Sequence, residues 1–136
     1  MSNIDRVIVA GSREFNDIEY IREALIKLVN DGFMNSHPVF ISGDARGPDK
    51  IAIELAKEWN LVCEIYPAMW QDYSEPCKIR TNQYGKYNSL AGMKRNKQMA
   101  NVATHLIAFW DGISSGTSDM IQEMMNQNKK VMIVYV

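Results

Sequence analysis

The 136-residue sequence predicts an α/β fold of three layers, a parallel five-stranded sheet with helices on both faces, built as one domain over residues 1–136. Three observations carry that expectation. Short apolar runs alternate along the chain with segments whose apolar residues recur at helical spacing. Runs one, two and four each end in a loop of small and polar residues. No internal repeat, low-complexity stretch or linker divides the chain. Alternation of this kind builds a parallel sheet through crossover connections. Such sheets bind ligands beyond the carboxyl ends of the strands, where the winding reverses. With the strand order 3-2-1-4-5, the reversal falls between strands one and four, and three small-residue loops share one rim.

Each element has a local reason. Residues 4–10 form an apolar run with Val7, Ile8 and Val9 consecutive, as in a strand buried on both faces. Asn16 with Glu19 reads as a capping box for a helix carrying Ile18, Ile21, Leu25, Leu28 and Val29, closed by Asn30-Asp31-Gly32. Residues 38–42 are the second strand. Pro48 suits a first helical position, and Ile51, Leu55 and Trp59 then follow at intervals of four. Residues 61–66 are the third strand. Residues 67–90 are polar and aperiodic and hold Trp70, Tyr73, Tyr84 and Tyr87. A connection this long is read either as a lid or insertion over a site, or as a surface excursion pinned by its aromatics. Helical spacing resumes at Met93, Met99 and Val102, residues 104–109 form the fourth strand, and residues 131–136 the fifth.

The stretch that organises the rest is 109–125. A strand runs into Asp111-Gly112-Ile113-Ser114-Ser115-Gly116-Thr117, and Met120, Ile121, Met124 and Met125 then mark a helix face. The first turn of that helix leaves N–H groups unpaired, with partial positive charge, so Ser114, Ser115, Gly116 and Thr117 can receive a phosphate there. The same residues also begin helices that bind nothing. Lys129 and Lys130 complement the helix's negative end.

Composition excludes several classes. At 46% hydrophobic and 23% charged residues, the chain is neither disordered nor fibrous. A net charge of −1 removes the usual electrostatic case for nucleic-acid binding. Cys63 and Cys77 match no metal spacing and no disulfide framework, which fits a reducing, cytoplasmic setting. No apolar run is long enough to span a bilayer. His37 and His105 have no acid or nucleophile partner in sequence and are read as structural. No motif asks for a cofactor or a metal.

Laid out in order, these loops resemble the SLOG superfamily of Rossmann-like proteins, and within it the small stand-alone YspA/YpsA-related branch common in bacteria and their phages. The matching residues are Gly11-Ser12-Arg13-Glu14-Phe15, Ser42-Gly43-Asp44-Ala45-Arg46-Gly47-Pro48-Asp49, Pro67-Ala68-Met69-Trp70, Gly85-Lys86, Ala91-Gly92-Met93-Lys94-Arg95-Asn96, and Trp110-Asp111-Gly112 through Gly116-Thr117. The resemblance implies a Rossmann-like fold and a pocket for a phosphate-bearing nucleotide or derivative, ADP-ribose-like or a cyclic signalling nucleotide. It also implies a sensing or sequestering role, in a phage setting among others, and pairing into a homodimer or higher homo-oligomer. Residues 74–83 look like an insertion relative to the related proteins.

By the same resemblance, Gly116-Thr117 cradles phosphate, the loop from Gly43 to Gly47 lies along the nucleoside, and Arg95 pairs a phosphate bidentately. Loss of Arg95 is expected to weaken binding by about 1.5–3 kcal/mol without unfolding the protein. Arg13 and Arg46 either do similar work or bridge to Asp17 or Asp49. Asp111 either accepts from ribose hydroxyls or caps its own turn. Trp70 is either a base-stacking platform or a core anchor. The expected site is thus Gly11, Ser12, Arg13, Gly43, Asp44, Arg46, Trp70, Arg95, Asp111, Ser114, Ser115, Gly116 and Thr117, with no catalytic member.

The competing class is a nucleotide-processing N-glycosidase. The LOG-type phosphoribohydrolases of the wider superfamily carry an Arg-Lys pair and a Glu three residues after the motif Thr. Here those positions are Arg95-Asn96 and Met120, and a thioether neither stabilises an oxocarbenium-like charge nor activates water. Asp119 is expected to point about a hundred degrees from the Met120 side. Asp44 and Asp111 are the carboxylates best placed to be recruited instead.

Overall fold

The structure, a computed structural model, describes residues 4–136. Strand β1 (Arg6–Gly11) is followed by α1 (Ile18–Asn30), β2 (Val39–Ser42), α2 (Pro48–Glu58) and β3 (Cys63–Ile65). A hairpin of β4 (Ile79–Asn82) and β5 (Gly85–Asn88) comes next, then α3 (Ala91–Val102), β6 (His105–Trp110), α4 (Ser115–Asn126) and β7 (Lys130–Tyr135). Five strands form one parallel sheet in the order β3-β2-β1-β6-β7. This is the order expected from the sequence, with the hairpin strands inserted in the numbering and lying outside the sheet.

Strand pleating sorts the apolar residues into two cores. Val7 and Val9 of β1, with Ile107 and Phe109 of β6, pack under α1 and α2 against Ile21, Leu25, Ile51 and Leu55. Ile8 and Ala10, with Leu106 and Ala108, face the other way onto Met99, Met120, Ile121 and Met124 of α3 and α4. The winding therefore reverses between β1 and β6, and the loops after these two strands open onto one crevice.

Some local expectations are corrected. The cap of α1 is Asp17, which accepts from the Tyr20 N–H at 3.0 Å, while Asn16 donates to the Glu14 carbonyl and Glu19 pairs with Arg22. Met125 is 56% exposed and leaves the buried face to Met120, Ile121 and Met124. Lys129 donates to the Ala100 and Asn101 carbonyls at the end of α3, not to α4. No helix among the described residues is long and apolar enough to cross a membrane.

Residues 67–90 are not aperiodic coil throughout, since they contain the antiparallel β4–β5 hairpin. Asn88, fully buried, holds its base. The Asn88 side-chain oxygen accepts from the Lys78 and Leu90 N–H groups at 3.0 Å each, and its amide donates to the Asp72 and Pro76 carbonyls. Lys94 of α3 reaches across to Asp72 and Ser74.

Candidate functional site

The loop after β1 is sewn to the loop after β6. Ser12 donates its N–H to the Phe109 carbonyl at 2.9 Å, and its hydroxyl accepts from the Asp111 N–H at 3.0 Å and lies 3.2 Å from the Ser114 hydroxyl oxygen. Ser12 is only 4% exposed, so it acts chiefly as a pin. Gly11 is a packing position: a Cβ there would come within 2.4 Å of the Phe109 carbonyl oxygen and 2.7 Å of Pro48. Beyond these loops the strand ends diverge around a cleft of about 790 Å³. It is bordered by Gly11, Ser12, Arg13, Arg46, Trp70, Arg95, Asp111, Ser114, Ser115, Gly116 and Thr117 among the sequence-expected residues. Gly43 and Asp44 lie outside its lining.

On one wall is the start of α4. One oxygen of Asp111 accepts from the N–H groups of Ile113 and Ser114, both at 2.8 Å, and the other from the Ser114 hydroxyl at 3.0 Å. The backbone donors, Ser114 first, hold the carboxyl down at about 2. Of the two roles open in sequence, Asp111 performs the capping of its own turn. The Trp110 indole N–H donates to the Ser114 carbonyl at 3.0 Å and fixes the other side of that turn. Helix α4 itself has no side-chain cap at Ser114. A Cβ at Gly116 would meet nothing within 4 Å. The first helical turn thus faces the cleft with open space before it, the arrangement in which helix N–H groups and the peptide dipoles receive an anion.

The opposite wall, at the start of α2, is filled. Arg95 Nη1 donates to the Gly43 carbonyl at 2.7 Å and lies 3.5 Å from that of Tyr66, while its Nε donates to the Asn96 side chain at 3.1 Å. Beneath it sits Asp49, 5% exposed, with a carboxylate oxygen 3.4 Å from the Ala45 N–H. Burial pushes the Asp49 carboxyl up to about 6, against the opposing pull of Arg95 and of the loop N–H groups. A Cβ on Gly43 would come within 2.6 Å of Arg95 and 2.9 Å of Asp49. Arg95 therefore supports the loop as well as bordering the cleft, so its removal is expected to cost stability as well as binding. Asp44 points to Lys50 at 2.7 Å, and Arg46 pairs with Glu14 at 2.7 Å rather than with Asp17 or Asp49. Arg13 forms no ion pair among the described residues. It lies near enough to Asp49 and Arg95 to lower the pKa of each.

The start of α3 and the hairpin close the remaining side. Trp70 is 41% exposed, sits over Gly92 and meets Tyr87 edge-on with ring centroids 6.1 Å apart. Asn96, 6% exposed, links α3 to α4 by donating to the Gly116 carbonyl at 3.2 Å and to Asp119 at 2.9 Å. Asp119 borders the cleft, as do Asp49 and Met120. Measured from Met120, which is core, Asp119 points about a hundred degrees away. Counted from Gly116, three residues earlier on the same helix, Asp119 falls on the cleft face. For Asp49 the signal was an acidic residue in the first turn after a glycine-rich strand end. Among the described residues no group of three or more His, Cys, Asp or Glu side chains is gathered to hold a metal.

The comparisons with known proteins agree with this architecture. None of the curated proteins matches the chain. The X-ray structure of DNA processing protein A (DprA) from Streptococcus pneumoniae superposes with a TM-score of 0.68 at 18% sequence identity. The alignment covers 96% of this chain and 50% of that one, so this chain spans about half of DprA's length and the likeness is one of fold. The model of the YAcAr family, described as the YspA, cpYpsA-related SLOG family, matches residues 5–73, from the start of β1 past Trp70. With half of its length matched and its sheet wound in Rossmann-like order, the chain belongs to the YspA, cpYpsA-related SLOG family.

Proposed function

We propose that this protein binds a phosphate-bearing nucleotide or nucleotide derivative, ADP-ribose-like or a cyclic signalling nucleotide, and serves as a cytoplasmic sensor or sink for it. One observation carries the reading. The uncapped first turn of α4 faces a cleft of about 790 Å³ at the carboxyl ends of β1 and β6. In this reading phosphate accepts from the N–H groups of Ser115, Gly116 and Thr117 and pairs with the Arg13 guanidinium, which forms no ion pair among the described residues. Arg95 contributes through Nη2, since its other nitrogens already bond Gly43 and Asn96. Trp70 offers a ring for the base, and residues 67–90 act as the cover on that side. Membership in a SLOG family supports a nucleotide-related ligand.

A second reading, N-glycosidic cleavage, is favoured by one feature that the sequence did not single out. Asp49 borders the cleft with its carboxyl at about 6, in the range where a carboxyl exchanges protons near neutral pH. Asp44 and Asp111, the earlier candidates, are engaged with Lys50 and with turn amides.

Calorimetric titration with nucleoside 5′-monophosphates, ADP-ribose and the matching nucleosides, followed by chromatography of the mixtures, separates these readings. Binding that requires the phosphate, with ligand recovered intact, is the expected result. Equal affinity for nucleosides, or no binding at all, contradicts it. Multiple turnovers lost in Asp49→Asn would transfer the protein to the enzyme class.

A further inference from the structure

Trp70 borders two hollows. One is the main cleft; the other, of about 340 Å³, lies beyond it among Gln71, Asn82, Tyr84, Lys86 and Tyr87. We infer that this hairpin hollow is a second nucleoside subsite, so that the preferred ligand is a 5′-phosphorylated dinucleotide with one base on each side of Trp70. The inference rests on the phosphate-binding reading of the α4 start.

The volume is at the lower end of small-molecule pockets, roughly 300–1,000 Å³, and suits one nucleoside. The walls are chemically suited to a base and a phosphodiester. Trp70 and Tyr87 stand nearly perpendicular, with an interplanar angle of 74°, and so offer two differently directed ring surfaces. Tyr84 at the hairpin tip is 88% exposed and contributes almost nothing to the core. Lys86, in the lining, forms no ion pair among the described residues, and neither do Lys78 and Arg80, which lie outside the lining, just before the adjoining strand and on it. The carboxylates nearest in sequence are engaged, Asp72 with Ser74 and Lys94 and Glu75 with the Cys77 N–H. Unpaired cations beside aromatic rings are the surface on which a polynucleotide backbone and its bases are held.

The hollow is also held in shape before any ligand arrives. The Gln71 amide donates to the Lys86 carbonyl at 3.0 Å, and the Tyr73 hydroxyl donates to the Gln71 side-chain oxygen at 2.7 Å while lying 3.1 Å from the same carbonyl. The buried Asn88 fixes the foot of the same strand to residues on both sides of it. A hairpin serving only as a brace would need neither an exposed tyrosine at its tip nor three unpaired cations along its length.

The test is calorimetry with the four nucleoside 5′-monophosphates and the corresponding 5′-phosphorylated linear homodinucleotides, on the wild-type chain and on Tyr84→Ala and Lys86→Ala. Both residues are exposed, so unchanged melting temperatures are expected. At least one dinucleotide should bind about 10-fold or more tightly than its monophosphate, as one base–aromatic stack can supply. Each variant should lose most of that advantage, the dinucleotide weakening by a factor at least several times that of the monophosphate. A dinucleotide no tighter than its monophosphate, or an advantage that survives both substitutions, overturns the subsite alone. If the wild-type chain binds neither class, the phosphate-binding reading fails and the subsite fails with it.

Discussion

The two loops that begin α2 and α4 are made of the same small and polar residues, yet one is filled by the protein and the other is left open. In residues 43–49 the Gly43 carbonyl accepts from Arg95, and the buried Asp49 lies beneath that guanidinium. In residues 111–117 the turn's own hydrogen bonds end at Ser114, Asn96 takes the Gly116 carbonyl, and the helix start has no side-chain cap; a Cβ on Gly116 would meet nothing within 4 Å. A glycine-rich loop before a helix is therefore not in itself a ligand site. What decides is how far a side chain from a distant element fills the space: Arg95, 52 residues from Gly43, packs against the α2 loop, whereas Asn96 takes only the Gly116 carbonyl and Asp119 and leaves the α4 start without a side-chain cap.

Removing Arg95 should have the largest effect on this contrast. Arg95→Ala takes a charged donor from the Gly43 carbonyl and a nearby positive charge from Asp49. Stability should fall by about 3 kcal/mol, the upper range for a hydrogen bond to a charged group, as read by urea unfolding. The Asp49 carboxyl should also move further up from about 6, which can be followed by NMR titration of its side-chain carbon if the variant stays folded. Full stability in the variant would mean that the α2 loop holds itself.

A pair of alanines compares the two loops directly. Gly43→Ala places a Cβ 2.6 Å from Arg95 Nη1 and should cost about 1–3 kcal/mol as an overpacked site. Gly116→Ala enters open space and should change stability by less than about 0.5 kcal/mol. Equal costs in the two variants would erase the distinction between a filled and an open loop.

Smaller effects separate the two carboxylates by pH. The folded pKa of Asp49, about 6, lies above the unfolded value of about 3.9. The folded state holds this proton more tightly, so the contribution is greatest below the unfolded pKa and is lost as pH rises through the folded one. Asp111, held at about 2, behaves oppositely: its contribution is present above the unfolded pKa and is lost as pH falls toward the folded one. Unfolding midpoints measured across acid and neutral pH should show Asp49→Asn differing from wild type mainly in the slope between about pH 4 and about pH 6. Asp111→Asn should differ mainly on the acid side. Parallel curves for both variants would contradict the assigned environments.

The sheet was legible in the sequence because its strands are buried on both faces and announce themselves as apolar runs, Val7 to Val9 and Leu106 to Phe109 among them. Strand order followed from alternation and from the position of the small-residue loops. The hairpin left no such mark. Ile79, Arg80, Thr81 and Asn82 are all exposed, as are Gly85 and Lys86, and a two-stranded ribbon standing off the core needs no apolar period. At the site, composition located the loops and the cleft side of α4. It did not show that Arg95 reaches back to Gly43, that Asp111 is engaged by its own turn, or that Asn96 ties Asp119 into the wall. Those are contacts between elements, fixed by packing and invisible to any spacing rule.

The claim at the centre of this account is that the open start of α4 receives the phosphate. Gly116→Asp tests it most directly, because the new carboxylate would occupy space that is empty and would lie in a first helical turn, where negative charge is favourable to the helix. The variant should melt at or above the wild-type temperature. Its affinity for the best-binding nucleoside monophosphate should fall by at least about 100-fold, as like charges brought together cost several kcal/mol. Retained affinity in a fully folded Gly116→Asp protein would show that the phosphate lies elsewhere and that the α4 start is only a helix cap.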